Sequence, residues 1–143
     1  MSCSQNNLKR CNYKTAQKTY NNNAQTVTTA GITPLLLGNL VTDTGIGVSS
    51  NVNNFGINYK GLYYIEADLT ATATGSGTFE FSMLKNGFVL PCAISRASVS
   101  DDSIVTLHIE TVLYLKPEDI ISFNISGAEG TINFISAEII KQA

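Results

Sequence analysis

Residues 61–73, Gly-Leu-Tyr-Tyr-Ile-Glu-Ala-Asp-Leu-Thr-Ala-Thr-Ala, decide the fold of this 143-residue chain. Alternate residues of the stretch are apolar, and a period of two indicates a β-strand with one face against a core. Gly61 opens the strand, and Gly75-Ser76-Gly77 turns the chain back at its far end. Leu62 and Tyr64 add apolar side chains to the opposite face, so we expect both faces of this strand to be covered.

Short apolar runs alternate with turn signals along the rest of the chain. Asn86-Gly87 is the strongest hairpin signal because both residues tolerate a positive φ. It separates the predicted strands 78–84 and 88–95, and further strands are predicted at 104–115, 120–126 and 131–141. Turn signals roughly every 9–15 residues, with no convincing helix, are typical of a sandwich or barrel.

A second long strand, Ile104–Leu115, is also apolar on both faces. Ile104, Val112 and Tyr114 share its second face with His108 and Glu110. In a monomeric sandwich that face would be open to water, although burying one large apolar side chain is worth about 1.5–3 kcal/mol. Because large apolar patches are rare on monomers, the pattern predicts self-association. The alternatives are scattered surface residues, or cover by the segment 24–58.

Residues 1–23 are polar and show no apolar period, which predicts an arm that is disordered when alone, followed by one domain at 24–143. No acidic residue precedes Asp43, although the whole chain has a net charge of −2. A basic arm on an acidic body suggests that the arm meets another molecule, and a solvated tail is the alternative. The predicted anchoring residues are Lys9, Arg10, Lys14 and Lys18.

The first residues lack the apolar core of a secretory signal, and no apolar run is long enough to span a bilayer. We therefore expect synthesis in a cytoplasm, with any external role reached by lysis or on a particle. Cys92 is predicted to pack as a small core residue. Cys3 and Cys11 could form a disulfide or share a metal, but two thiols with no nearby His are a weak zinc signal.

The sequence carries no recognisable catalytic motif, with neither a Gly-x-Ser-x-Gly stretch nor a P-loop. His108 and Glu110 should face the same side, and a solvated or interface pair explains them better than catalysis. Asp101 and Asp102 are weak candidates for calcium, which requires six or more oxygens. We predict no enzymatic activity, no cofactor and, because the body is acidic, no nucleic-acid binding.

Several stretches resemble the complement globular-head and tumour-necrosis-factor-like jelly rolls. Gly61-Leu62-Tyr63-Tyr64-Ile65 looks like the family's strand opening, and Leu84-Lys85-Asn86-Gly87 resembles its following hairpin. The run from Val105 to Ile121 is similar to its long strand, tight turn and next strand. Phe134-Ile135-Ser136-Ala137-Glu138 stands where the family places its final buried strand. The resemblance covers residues 24–143.

The resemblance implies an all-β, antiparallel, two-sheet jelly-roll sandwich that assembles as a compact homotrimer. In such trimers the sheet with the first, last and two long strands faces the threefold axis. The predicted trimer interface is Leu62, Tyr64, Val112 and Tyr114.

The predicted function is a non-enzymatic structural or binding module of a bacteriophage virion: a head fibre, a capsid decoration protein or a fibre tip. The arm would anchor it to other virion proteins, and we expect no membrane partner. One alternative is a spore- or cell-surface protein similar to the C-terminal domain of collagen-like spore glycoproteins, although no Gly-X-Y stalk is present. Others are a module for host glycans and an enzyme of unknown type, since fold does not settle function.

Overall fold

The computed structural model describes residues 15–28 and 31–143, and this part of the chain contains strands and no helix. Its twelve strands are β1 (Ala16–Asn21), β2 (Gln25–Val27), β3 (Thr33–Pro34), β4 (Asn39–Thr44), β5 (Val48–Ser50), β6 (Phe55–Ile57), β7 (Gly61–Ala73), β8 (Gly77–Lys85), β9 (Phe88–Val99), β10 (Ile104–Leu115), β11 (Ile120–Ser126) and β12 (Gly130–Lys141). No helix among these residues has the length and hydropathy to cross a bilayer.

The strands form two antiparallel sheets. Sheet A has the order β10-β7-β12-β1-β4, with β2 added to β12, and sheet B has the order β5-β6-β11-β8-β9, with β3 added to β11. Strands far apart in sequence are neighbours in both sheets, as in a jelly roll. The predicted all-β, two-sheet, antiparallel architecture is confirmed.

The core lies between the two sheets and is filled by alternate residues of the long strands. On β7, Tyr63, Ile65 and Leu69 are fully buried, as the alternation predicted. Sheet B contributes aromatic rings, and those of Phe81 and Phe123 lie with their centroids 6.0 Å apart. The apolar face of each sheet is therefore covered by the other sheet, and the second face of sheet A remains outside.

The Asn86-Gly87 hairpin is confirmed. Both residues have positive φ, 52° for Asn86 and 83° for Gly87, which suits the right-handed twist of the strands that they join. Lys85 pairs with Phe88 across the turn. A tight two-residue turn fixes the register of β8 and β9 at this end.

The predicted boundary at residue 23 is wrong, because β1 lies inside sheet A between β12 and β4. Its inward residues are polar, so the strand shows no apolar period. Two of the three are held by side-chain hydrogen bonds: the Gln17 amide donates to Asp43 Oδ1 and to Val48 O, each at 2.8 Å, and the Asn21 amide donates to Leu36 O at 2.9 Å. The folded domain therefore includes residues 16–21.

Cys92 was predicted in the core, and this is also wrong, because its side chain is exposed. The pairing of β8 with β9 shifts register between Ser82 and Leu84, and this irregularity turns Ala93 inward in place of Cys92. Cys3 and Cys11 lie outside the described residues.

Candidate functional site

The candidate site is the outer face of sheet A, which we define as the side chains that point away from sheet B. On β7 and β10 these are the even-numbered residues, and the two strands pair without irregularity from Ile104↔Thr72 to Leu115↔Gly61. Two groups of side chains lie on this face. We call them the apolar patch, at the Leu115 end of β10, and the acidic cluster, in the middle of the strands.

The apolar patch consists of five neighbouring side chains: Leu62, Tyr64, Val112, Tyr114 and Ile140. Cross-strand pairs join Leu62 to Tyr114, Val112 to Tyr64, and Tyr64 to Ile140. The exposed fractions are 65% for Tyr114, 53% for Val112 and 36% for Leu62. All four residues predicted for the trimer interface thus lie together on the outer face of sheet A, and their role in assembly stays a prediction.

Ile140 was not predicted as part of this site. The pairing of β12 with β7 shifts register between Ile132 and Phe134, so Ile132 is buried while Ile140 points outward. Alternation without this irregularity would have put both residues on one face. The signal was present in the sequence, because the last strand is apolar on both sides, but the position of the shift was not.

Exposed apolar residues continue around the edge of the sandwich beside the patch. Cys92 Sγ lies 3.6 Å from Thr111 Oγ1, which places β9 of sheet B next to β10 of sheet A. β9 begins with Phe88, which is 79% exposed, and Val89, which is also exposed. In the hairpin that precedes β9, Asn86 N–H donates to Ile120 O, and Asn86 Oδ1 accepts a hydrogen bond from Ile120 N–H. Ile120 lies just beyond the end of β10, so this apolar edge is at the same end of the sandwich as the patch.

The acidic cluster follows from register. Glu66 on β7 lies directly opposite Glu110 on β10 and Glu138 on β12, so three carboxylates form one row across the sheet. Like charges in directly opposite positions destabilise a sheet. In the next row, His108 lies opposite Asp68, and its Nδ1 is 2.6 Å from Asp68 Oδ1.

Two further contacts connect the cluster. His108 Nε2 lies 3.7 Å from Glu110 Oε2. The Tyr64 hydroxyl lies 2.8 Å from Glu66 Oε2 and 2.6 Å from Glu110 Oε2. A neutral phenol has one proton, so Tyr64 donates to only one of the two carboxylates at a time.

The pKa values follow these contacts. The hydrogen bond to Asp68 raises the pKa of His108, and the Tyr64 hydroxyl lowers the pKa of Glu110. Burial and the charge of Glu66 raise the pKa of Glu138. Hydrogen bonds to Glu110 and Glu66 raise the pKa of Tyr64, because they favour the protonated phenol.

The other predicted site residues are scattered. Asp101 and Asp102 are exposed in the turn before β10, and within the described residues no third Asp, Glu, His or Cys groups with them as a metal ligand. Lys18 is exposed on β1 opposite Glu138, so it belongs to the sheet. Lys9, Arg10 and Lys14 lie outside the described residues.

Comparison with known proteins gives a clear result for the fold alone. No protein-family model and no curated protein sequence matches the chain. Murine APRIL, in its crystal structure at pH 5.0, has a TM-score of 0.72 at 14% identity over 89% of this chain and 98% of that one.

Two further similar structures are the globular domain of zebrafish complement 1qA and the PRD1 vertex protein P5, both with a TM-score of 0.65. The first is 12% identical over 91% of this chain and 98% of that one. The second is 14% identical over 91% of this chain and 74% of that one. The chain therefore has the jelly-roll fold of the tumour-necrosis-factor-like and complement globular-head proteins.

Proposed function

We propose that this protein is a non-enzymatic module that assembles as a homotrimer through the outer face of sheet A and acts as a structural or binding component of a virion. The observation that carries the proposal is the apolar patch. Leu62, Val112 and Tyr114 stand open to water on a sheet whose other face is already buried. An apolar surface of this kind marks an interaction site.

The apolar edge provides a complementary surface for the patch. If the patch of one copy packs on Phe88 and Val89 of the next, the contact joins two different surfaces. A heterologous contact of this kind forms a closed ring when the rotation between copies allows it. Three copies related in this way would each cover one patch and one edge, in agreement with the homotrimer that the family resemblance implies.

The mass of the protein in solution tests the assembly. One chain has a mass of 15.3 kDa, so a trimer is expected near 46 kDa by light scattering. A stable particle of one-chain mass at all accessible concentrations would refute assembly through this face. A dimer would refute the threefold arrangement but not the association.

The absence of enzymatic activity is supported by the surroundings of the only histidine. His108 lies on an open sheet face and is bonded to Asp68. Among the hydrogen bonds of the described residues, none joins His108 to a Ser, Thr or Cys, so no nucleophile is activated there. Turnover of any substrate that is lost in the His108→Ala variant would contradict this part of the proposal.

The virion role is supported by the likeness of the fold to the PRD1 vertex protein P5 and by the basic N-terminal residues. Because β1 starts at Ala16, the anchoring segment is best placed at residues 1–14, with Lys9, Arg10 and Lys14. Deleting residues 1–14 should leave three chains in each particle and abolish co-sedimentation with purified capsids. A second variant that replaces only Lys9, Arg10 and Lys14 by Gln should also lose attachment, because the proposed anchoring depends on their positive charge.

Two results would contradict different parts of this proposal, the first its anchoring segment and the second its virion role. Attachment that survives the deletion would refute anchoring by this segment. Neighbouring genes for sporulation, in place of capsid and tail genes, would favour a spore-surface protein with the same assembly. Neither result would affect the trimer, which is measured separately.

A further inference from the structure

We propose that Glu66, His108 and Glu110 bind one divalent transition-metal ion, with Zn²⁺ as the best match, on the outer face of sheet A. Glu66 and Glu110 are directly opposite each other on β7 and β10, and His108 precedes Glu110 by two residues on the same face. One ligand atom from each residue lies within 4.8 Å of the other two. Three ligands from two paired strands therefore converge without any loop.

A hydrogen bond to Asp68 fixes the orientation of the His108 imidazole. Asp68 Oδ1 lies 2.6 Å from Nδ1, so the carboxylate accepts a hydrogen bond from Nδ1–H, and in the neutral imidazole the lone pair is then on Nε2. Nε2 faces Glu110, with 3.7 Å between it and Oε2. Metal-binding histidines are held in this way, with the second ring nitrogen donating to a carboxylate. Asp68 is thus a positioning residue, and its contact with the ion would be indirect.

The charges of the face favour a cation at this position. Glu66 has a carboxylate directly opposite on each side, Glu110 and Glu138. The one proton of the Tyr64 hydroxyl cannot satisfy both Glu66 and Glu110. A dication between these two carboxylates would replace their repulsion by attraction to a shared charge.

The donor set selects the kind of ion. Calcium and magnesium bind mainly oxygen ligands, whereas this site offers an imidazole nitrogen. Zn²⁺ binds His nitrogen and carboxylate oxygen at about 2.0–2.2 Å, which places neighbouring ligand atoms in a tetrahedron about 3.4 Å apart. The 3.7 Å between Nε2 and Oε2 is close to this separation. Three protein ligands leave a fourth position for water or for a group of another molecule.

The site does not depend on the proposed trimer, because all its ligands come from one chain. It lies next to the apolar patch, however, since Tyr64 contacts both Glu66 and Glu110. If that face is buried in a trimer, an ion would reduce the cost of removing the carboxylates from water. Binding and assembly are measured by separate experiments, so the failure of one would leave the other intact.

The test uses full-length, untagged protein from which metal has been stripped. Cys3→Ser and Cys11→Ser are included as a background, because thiols could also hold zinc. Equilibrium dialysis with Zn²⁺ should give one ion per chain in this background. His108→Ala and Glu66→Gln should each abolish zinc binding, and Asp68→Asn should weaken the affinity for zinc about 10- to 100-fold. Asp101→Asn, an exposed acid away from the cluster, is the matched control and should bind normally.

A second readout reports the imidazole itself. His108 is the only histidine of the chain, so its ring protons can be followed by NMR without assignment. Adding one equivalent of Zn²⁺ should shift these signals and remove their titration with pH. The proposal is overturned if the background protein binds no zinc, if His108→Ala binds as well as its parent, or if the imidazole signals do not respond.

Discussion

Replacing Tyr114 by Ser tests the proposed interface most directly, because Tyr114 is the most exposed side chain of the apolar patch, at 65%. A tyrosine can bury about 150–250 Å², so roughly 100–160 Å² of this one remains open in the single chain. At about 25 cal/mol per Å², covering it is worth about 2.5–4 kcal/mol per copy. We use the lower value because part of the exposed surface is the hydroxyl.

Three copies of the change would then cost the trimer about 7.5 kcal/mol, since each copy contributes one Tyr114. One factor of ten in an equilibrium constant corresponds to about 1.4 kcal/mol, so the dissociation constant should rise about 10⁵-fold. Because the concentration of half-assembly varies as the square root of that constant, it should rise a few hundredfold. The fold of the single chain should change little, because an exposed substitution away from special features costs within about 0.5 kcal/mol.

The assay is light scattering over a dilution series, with circular dichroism to confirm that each variant is folded. Tyr114→Phe retains the ring and should dissociate as the parent does. Val52→Ser removes an apolar residue that is 54% exposed in the loop between β5 and β6, and it should also leave the mass unchanged. If Tyr114→Ser remains assembled at the same dilutions as the parent, the patch is not the interface and the argument from exposed area is refuted.

Two further substitutions test the interior by denaturant unfolding at several pH values. Tyr63→Phe should cost about 1–2 kcal/mol, because the buried hydroxyl donates to Tyr59 O at 2.6 Å. Burial raises the pKa of Tyr63 to about 12, so this group should lower the free energy of unfolding of the parent, but not of the variant, as the pH rises from about 10 toward 12. An equal loss of stability in both proteins over this pH range would contradict the assignment. Asp119→Ala should cost about 3 kcal/mol, because the carboxylate accepts hydrogen bonds from Lys116 N–H and the Asn86 amide. Burial opposes ionisation of Asp119, but these hydrogen bonds lower its pKa on balance. The difference in free energy of unfolding between the parent and Asp119→Ala should therefore shrink as the pH falls below about 4. A difference that stays constant with pH would contradict the assignment.

The sequence predicted those parts of the structure that depend on residues close together in the chain. The alternation over residues 61–73 predicted which side chains of β7 face the core, and Asn86-Gly87 predicted the hairpin. Both signals lie within a few residues of the structure that they specify. The same alternation also identified Leu62, Tyr64, Val112 and Tyr114 as one outward face, because two regular strands keep their sides over their whole length.

Features that depend on contacts between residues far apart in the chain could not be predicted from the sequence. The inward side of β1 carries Gln17 and Asn21, which donate hydrogen bonds to Val48 O and Leu36 O. No local pattern shows that a polar side chain will find a backbone carbonyl so far along the chain. For the same reason Asp68 was not connected to His108, 40 residues away, although the two are directly opposite in the sheet.

The apolar patch and the acidic cluster have one structural origin, which is the unbroken pairing of β7 with β10. Within that ladder every even-numbered residue faces outward, so Tyr64 and Val112 are brought together by the same register that brings Glu66 to Glu110. A slip of one residue would turn both groups into the core, where the carboxylates could not be satisfied. Tyr64 belongs to both groups, since its ring lies in the patch and its hydroxyl touches two carboxylates of the cluster. A change of charge at Glu66 or Glu110 therefore acts on the side chain that the patch presents to a neighbouring copy, and any ion bound there should alter assembly through Tyr64.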